Sequence, residues 1–193
     1  MAASVSRYWL PLGPLVGLLL GAVALTAHAA ELPPPAYQLA AHGAGIPSEV
    51  LYAVALQESG AKLRGQLVPW PWTLNVAGAG YRFATRADAC TALLIALNTV
   101  SPKRVDVGLA QVNMGHNGHR FGGGPPCEAL NPYKNLEVAA RMLAELRADG
   151  SDWITVAGRY HRPAGGKPAE RYRAAFAKHL SRVTGLNLLA TTP

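Results

Sequence analysis

An apolar helix that ends in a carboxylate most constrains how this chain can fold. Residues 47–59 carry an apolar stripe at helical spacing, which predicts a helix buried on that face. The stripe consists of Val50, Leu51, Val54 and Ala55. Pro47 suits the first turn, and Gly60 suits the left-handed residue that ends a helix. Glu58 is therefore predicted to lie in the last turn of a buried helix.

The N-terminus has the pattern of an export signal. Arg7 precedes an apolar run over residues 10–25, and Ala27-His28-Ala29 then offers the small-x-small pattern that signal peptidase cuts. We expect a signal peptide over residues 1–29, cleaved after Ala29 or Ala30, and hence a periplasmic protein. An uncleaved anchor is the alternative, although the run is short for a membrane span, which needs about 20 residues.

The rest of the chain is long enough for one domain with one core. We expect residues 30–45 to form a proline-containing lead-in. Its segment Leu32-Pro33-Pro34-Pro35 is predicted to be extended, because consecutive prolines are incompatible with a helix. The domain is then expected over residues 46–186, with a C-terminal tail over residues 187–193.

Apolar periodicity predicts four more helices and one hairpin. The predicted helices begin at Thr85, at Asn131, near Asp152 and after a loop over residues 163–168. The hairpin pairs residues 73–76 with residues 81–83, whereas residues 115–126 are rich in Gly, Pro and His and are predicted to be a loop. The predicted fold class is mainly α, a single helical domain with a small strand pair or irregular insertion.

The chain is basic and has two cysteines. Its 18 Lys and Arg exceed its 11 Asp and Glu, and the net charge of +7 falls to +6 when Arg7 leaves with the signal peptide. This surplus favours an anionic partner, and export favours a cell-wall polymer over nucleic acid; the alternative is that the charge only aids solubility. Cys90 and Cys127 form either a disulfide, as an oxidising compartment allows, or two buried free thiols.

Glu58 is a candidate general acid. A helix C-terminus carries partial negative charge, so it disfavours a carboxylate and tends to raise its pKa, and burial in a cleft adds to this effect. Cleavage of a glycosidic bond needs such a proton donor, because the leaving oxygen must be protonated as the bond breaks. The alternative is a solvated glutamate at a helix end.

An ordered set of short motifs follows this helix over roughly residues 47–176. The set is Glu58-Ser59, Gly108-Leu109-Ala110-Gln111-Val112-Asn113, Asn131-Pro132, Asn135-Leu136, Ala157-Gly158-Arg159-Tyr160 and Tyr172. In this order it resembles the lytic transglycosylase domain of the soluble-lytic-transglycosylase superfamily, which has an α+β lysozyme-like fold. The insertion at residues 69–76 and the lead-in at residues 105–108 are typical of the small exported group associated with conjugative elements and specialised secretion systems.

The resemblance implies a role for each matching residue. Glu58 matches the single catalytic glutamate, and Ser59 matches the neighbour that helps to shape the site. The positions implied to contact or line the sugar site are Ser59, Gln111, Asn113, Tyr160 and Tyr172. Ala110 departs from the pattern where methionine is common, and His161 departs where asparagine often follows the tyrosine. No cofactor and no metal are expected, and the protein is expected to be a monomer.

The same resemblance implies a mechanism and a substrate. One glutamate protonates the oxygen between N-acetylmuramic acid and N-acetylglucosamine in peptidoglycan. The carboxylate then takes the proton of the muramic C6 hydroxyl, which attacks C1 of its own ring and leaves a 1,6-anhydro end. The implied setting is local opening of the wall for a conjugation or secretion apparatus.

Several alternatives remain open at this stage. Asp106 either braces the loop before Gly108 or acts as a second carboxylate, which would make the protein a hydrolytic muramidase. The protein could also be a peptidoglycan-binding scaffold without turnover. Trp70, Trp72 and Tyr81 either stack on sugar rings or pack a satellite core. A zinc site is possible only if histidines such as those at 116, 119 and 161 meet in space.

Overall fold

The computed structural model describes residues 30–188 and has a mainly α fold with two small antiparallel sheets. The helices are α1 (Pro35–Ala44), α2 (Ser48–Ser59), α3 (Arg86–Thr99), α4 (Met114–Asn117), α5 (Pro132–Leu146), α6 (Trp153–His161) and α7 (Lys167–Thr184). The strands are β1 (Gly60–Leu63), β2 (Gln66–Pro69), β3 (Thr73–Val76), β4 (Ala79–Arg82), β5 (Val105–Val107) and β6 (Val112–Asn113). The predicted fold class is confirmed at this level. The predicted signal peptide and residues 189–193 of the predicted tail lie outside the described residues.

Helix α2 is the centre of the main core. Every residue from Val50 to Leu56 is at most 3% exposed, and α1, α5 and α7 all contact this helix. A helix that is apolar on all sides is stable only when it is enclosed on all sides. The predicted helix and its buried stripe are confirmed, and Glu58 does lie in the last turn. The buried surface is wider than the stripe because neighbouring helices surround α2.

Gly60 ends α2 for a different reason from the one predicted. Its φ of −50° and ψ of 129° are not left-handed, and the chain passes directly from the helix into β1. A Cβ at this position would lie 2.3 Å from the carbonyl oxygen of Leu56. Glycine is therefore required by a close backbone approach and not by a positive φ.

Residues 35–44 of the expected lead-in form helix α1, so the segment predicted to be extended is non-helical at residues 32–34 and the prediction is wrong at Pro35. Pro35 stands in the first turn, where a proline is compatible with a helix because its missing N–H would have no intrahelical partner. Tyr37 and Ala41 are buried, and the Tyr37 ring meets the Tyr52 ring edge-on at 4.9 Å between centroids. Helix α1 thus packs on the core, and Gly45 ends it with a left-handed φ of 67°.

The larger sheet has the strand order β4-β3-β5-β6. The predicted hairpin is confirmed as β3 and β4, in which Asn75 pairs with Gly80. Strands β5 and β6, which the sequence left unassigned, extend it on the other side and place Asp106 opposite Asn113. A second apolar core lies between this sheet and α3 and includes Leu74, Leu93 and Val107. The predicted loop at 115–126 contains short helical turns over Met114–Asn117 and Gly118–Phe121.

Within residues 30–188, no single helix is both long and apolar enough to cross a membrane. Helices α1 and α2 meet the length and composition limits only as a pair bent by 118°.

Cys90 and Cys127 form a disulfide, with 5.3 Å between their Cα atoms and a sequence separation of 37. The bond joins α3 to the 3₁₀ turn Pro126–Leu130, which leads into α5. Arg86 strengthens the same junction by donating from Nη2 to the Cys127 carbonyl oxygen at 2.8 Å. The disulfide therefore joins two elements of the second core, one of which leads into the helical core.

Replacing both cysteines by serine is expected to lower the free energy of unfolding by roughly 2–4 kcal/mol, because the unfolded chain loses a closed loop of this length. Urea denaturation of the unaltered protein and the double variant measures the difference. Added reductant should reproduce the loss in the unaltered protein and leave the variant unaffected. Equal stability in all four conditions would contradict the prediction.

Candidate functional site

A cleft of about 860 Å³ lies where the end of α2, the larger sheet and the helices α5 and α6 meet. Its wall includes four of the six predicted site residues, namely Glu58, Gln111, Asn113 and Tyr160. Asp106 and His161 line it as well. Ser59 and Tyr172 are buried, with 0% and 5% of their surfaces exposed. The residues of separate sequence motifs thus meet around one cavity.

Residues 107–111, which we call the 107–111 turn, lie beside the cleft, and Gln111 lines it. Ser59 donates from its hydroxyl to the carbonyl oxygen of Leu109 at 2.7 Å, and to that of Ala55 at 3.1 Å. Since Ser59 is next to Glu58 in sequence, this bond holds the end of α2 against the turn. The predicted role of Ser59 in shaping the site corresponds to this contact behind the cleft.

Asn135 connects the same turn to α5. Its Oδ1 accepts from the Ala110 amide at 2.9 Å, and its Nδ2 donates to the carbonyl oxygens of Val107 at 2.9 Å and Ala129 at 3.0 Å. The side chain is 0% exposed and fully bonded, as a buried amide must be. Gly108 has a φ of +84°, and a Cβ there would lie 2.4 Å from Asn135 Nδ2. Conformation and space therefore both require glycine at this position.

Tyr160 and Gln111 complete the bonding of the turn. The Tyr160 hydroxyl donates to the Ala110 carbonyl oxygen at 2.7 Å. Gln111 has a left-handed φ of 45°, and its Nε2 donates to the carbonyl oxygens of Gly108 at 2.9 Å and Thr73 at 3.1 Å. The side-chain amide of Gln111 thereby keeps the turn closed. Gln111 also faces the cleft, and its backbone conformation is strained.

Asn113 and Asp106 form a polar pair across β5 and β6. Asn113 Nδ2 donates to Asp106 Oδ1 at 2.7 Å, and Asn113 Oδ1 accepts from the amides of Gly115 and His116 at the start of α4. Burial raises the pKa of Asp106, while the bond from Asn113 lowers it. The position of Asp106 beside the turn fits the predicted brace, and its place in the cleft wall also keeps it near any substrate.

Glu58 has the electrostatics of a proton donor. Protein surrounds most of its side chain, and this burial raises the pKa of the carboxyl from its usual 4.5 to about 7. The nearby Tyr172 phenol lowers the pKa, whereas the negative charge of Asp106 raises it. The Tyr172 hydroxyl is close enough to act on Glu58, yet it makes no hydrogen bond of ordinary distance and angle. Glu58 is thus partly protonated at neutral pH.

The cleft extends beyond the predicted residues to a charged end. Arg120 forms a two-point ion pair with Glu145, with both N–O distances 2.8 Å, and both residues line the cavity. Arg162 and Asn75 also line it. No sequence signal could have found this group, because its members come from unrelated elements far apart in the chain.

The clustered aromatics do not join Glu58. Trp70 donates from Nε1 to the Phe83 carbonyl oxygen at 2.7 Å, and Trp72 packs against the second core. Tyr81 is half exposed on β4, away from the residues of the cleft wall. For the two tryptophans, the satellite-core interpretation is therefore the one that the contacts favour. Among residues 30–188, no three His, Cys, Asp or Glu side chains are grouped as metal ligands would be.

Comparison of the chain with protein-family models, with curated proteins and with solved structures gave no match. The chemistry assigned to the site consequently depends on the residues of this chain and their geometry.

Replacing Asn135 by alanine is expected to lower the free energy of unfolding by about 3–4 kcal/mol, because three buried backbone groups lose their partners at about 1 kcal/mol or more each. Asn98→Ala on the exposed face of α3 is the matched control and should change stability by less than about 0.5 kcal/mol. Chemical denaturation measures both variants. A similar small effect of the two substitutions would show that Asn135 does not hold the turn.

Glu58→Gln is expected to stabilise the protein above pH 7. The native pKa is about 7 and the ordinary value is 4.5, so the native state binds the extra proton between these values and stability falls as pH rises through them. Glutamine removes this dependence, and we expect a gain of about 2–3 kcal/mol at pH 8 that disappears below about pH 4.5. Denaturation at several pH values measures it. Glu49→Gln, at the other end of α2, is the control, and an equal pH profile in both variants would contradict the assigned pKa.

Proposed function

We propose that this protein is an exported lytic transglycosylase that cleaves the bond between N-acetylmuramic acid and N-acetylglucosamine in peptidoglycan. The observation that carries the proposal is Glu58, a carboxyl with a pKa of about 7 in the wall of a cleft of about 860 Å³. A cavity of this size suits part of a glycan strand, and a pKa near the working pH suits a group that both donates and accepts a proton.

The first step is proton donation. Glu58 in its acid form gives its proton to the glycosidic oxygen as the bond from C1 of the muramic residue breaks. The N-acetylglucosamine end leaves as an alcohol, and the carboxyl becomes a carboxylate. Burial supports this step because it disfavours the charged form of Glu58 before the reaction.

The second step returns the proton. The Glu58 carboxylate takes the proton of the C6 hydroxyl, and that oxygen bonds to C1 of the same ring. The product is a 1,6-anhydro end, no water is consumed, and Glu58 is again an acid. Attack within one ring is favoured by entropy over attack by a separate nucleophile.

Two features of the chain support a lysozyme-like fold within this proposal. A buried helix places the acid at its C-terminal end, and a small antiparallel sheet forms the facing wall of the cleft. The ordered motifs that resemble the soluble-lytic-transglycosylase superfamily supply the residues that meet in this cleft. The contacts of Ser59 and Asn135 offer a physical reason for the motifs that contain them, since these two side chains hold the 107–111 turn beside Glu58.

The cellular setting is part of the proposal. The N-terminal pattern of an export signal, and the positive net charge that remains after its removal, are compatible with a periplasmic protein that binds an anionic wall polymer. We propose local opening of the wall for a conjugation or secretion apparatus, as the resemblance implies, with the protein acting as a monomer and without a cofactor.

A hydrolytic muramidase is the second candidate, and the position of Asp106 favours it. Asp106 lines the same cavity, and its charge raises the pKa of Glu58, so a second carboxyl stands in the wall of the cleft and acts on the proton donor. One observation argues against this role: Asn113 Nδ2 donates a hydrogen bond to one Asp106 oxygen at 2.7 Å. A brace needs that bond, whereas a nucleophile or base needs a free oxygen directed at the substrate.

Digestion of purified peptidoglycan, followed by mass spectrometry of the products, tests the proposal. The unaltered mature protein and Glu49→Gln are expected to release anhydro-muramic products, whereas Glu58→Gln should lower the rate by at least about 100-fold because the proton donor is lost. Asp106→Asn should still give anhydro products, since an amide can retain the brace.

The products separate the candidates. Ordinary reducing ends that disappear in Asp106→Asn would establish the hydrolase. Anhydro products of unchanged yield from Glu58→Gln would exclude Glu58 as the acid. Binding of glycan strands without products from any variant would favour a scaffold.

A further inference from the structure

His161 is the last residue of α6, and its ring lies flat against the ring of Tyr172 on α7. The ring centroids are 4.5 Å apart and the planes differ by 9°. The other side of the imidazole borders the cleft and is exposed to solvent. A surface side chain thus covers a tyrosine that is itself 5% exposed.

The covered tyrosine is close to Glu58 but is not fixed by hydrogen bonding. Its hydroxyl is buried and has no hydrogen bond of ordinary geometry, whereas the hydroxyl of the neighbouring Tyr160 is held by the Ala110 carbonyl oxygen at 2.7 Å. A buried phenol without a partner is unusual and needs another restraint. The Tyr172 ring packs in the main core, and the imidazole of His161 adds a stacked contact on one face of that ring.

We propose that His161 is a positioning residue whose ring holds the phenol of Tyr172 against the Glu58 carboxyl. The inference deepens the proposed transglycosylase function, on which its rate effect rests. His161 touches Tyr172 and not Glu58, so it acts through the tyrosine. The ring, and not a charge, is the functional part of the side chain.

The charges around His161 are consistent with a neutral ring. Asp106 on β5 favours the protonated imidazole, while burial of the packed face and the adjacent Arg162 disfavour it, and the pKa of His161 is lowered overall. His116 on α4 acts on Asp106 as well. On the α7 side, Tyr172 has a raised pKa, owing first to burial and then to Glu58, so it faces His161 as a neutral phenol. Two neutral rings in offset contact form a stable stack.

Loss of the stack should shift the pKa of Glu58 in a predictable direction. Tyr172 lowers the pKa of Glu58, so a displaced phenol should allow the pKa of Glu58 to rise above about 7. The rate at its optimum should fall roughly tenfold in His161→Ala, because the phenol that acts on the Glu58 carboxyl is then displaced from it. His161→Phe keeps a flat ring and should keep both properties near those of the unaltered protein.

The experiment is a carbon-13 NMR titration of the Glu58 carboxyl in the unaltered protein, His161→Ala, His161→Phe and Tyr172→Phe. Glu58→Gln assigns the resonance, and amide spectra show that each variant is folded. The expected result is an upward shift in His161→Ala and Tyr172→Phe, none in His161→Phe, and no further shift when His161→Ala is added to Tyr172→Phe. The pH profile of peptidoglycan cleavage should show the same order.

The titration needs no turnover, so it tests the inference even if the proposed function fails. An unchanged Glu58 titration in His161→Ala or in Tyr172→Phe would overturn the proposal. Equal shifts in His161→Ala and His161→Phe would overturn it too, because they would assign the effect to the imidazole charge.

Discussion

The site depends on a turn whose backbone is hydrogen-bonded by side chains from three helices. Ser59 on α2, Asn135 on α5 and Tyr160 on α6 each bond a peptide group of the 107–111 turn. Only Val107 of the turn belongs to a strand, and unpaired buried peptide groups would cost free energy at the other positions. The three side chains therefore fix the distance between the helical core and the sheet, and with it the width of the cleft.

This arrangement explains why the residue next to Glu58 is buried. The hydroxyl of Ser59 ties the last turn of α2 to Leu109, so the helix end cannot move away from the sheet. Glu58 is then held where burial raises its pKa and where the charge of Asp106 acts on it. The Ser59 hydroxyl, through its two backbone acceptors, thus sets the environment of the Glu58 carboxyl without contacting it.

The carboxyls of Asp106 and Glu58 lie in different environments within the cleft. Asp106 is bonded to Asn113, while Glu58 has only the phenol of Tyr172 beside it. A carboxylate that accepts a hydrogen bond is stabilised in its charged form, whereas one enclosed by protein without such bonds retains its proton. Residues 50–56 of α2 are all apolar because α1, α5 and α7 enclose the helix, and the same packing surrounds its last turn at Glu58.

Local sequence determined the helices α2, α3, α5, α6 and α7, the hairpin and the place of Glu58 in the last turn of α2, because apolar periodicity and capping act over a few residues. The resemblance supplied the remaining site residues, yet it could not give their contacts. Helix α1 was missed because the run Pro33-Pro34-Pro35 at its start resembles an extended segment, and only packing against the core shows that Pro35 begins a helix. Tertiary structure alone decided the stack of His161 on Tyr172, the charged end with Arg120 and Glu145, and the choice of disulfide over free thiols. Each joins residues that are distant in the chain, and their meeting depends on how whole elements pack.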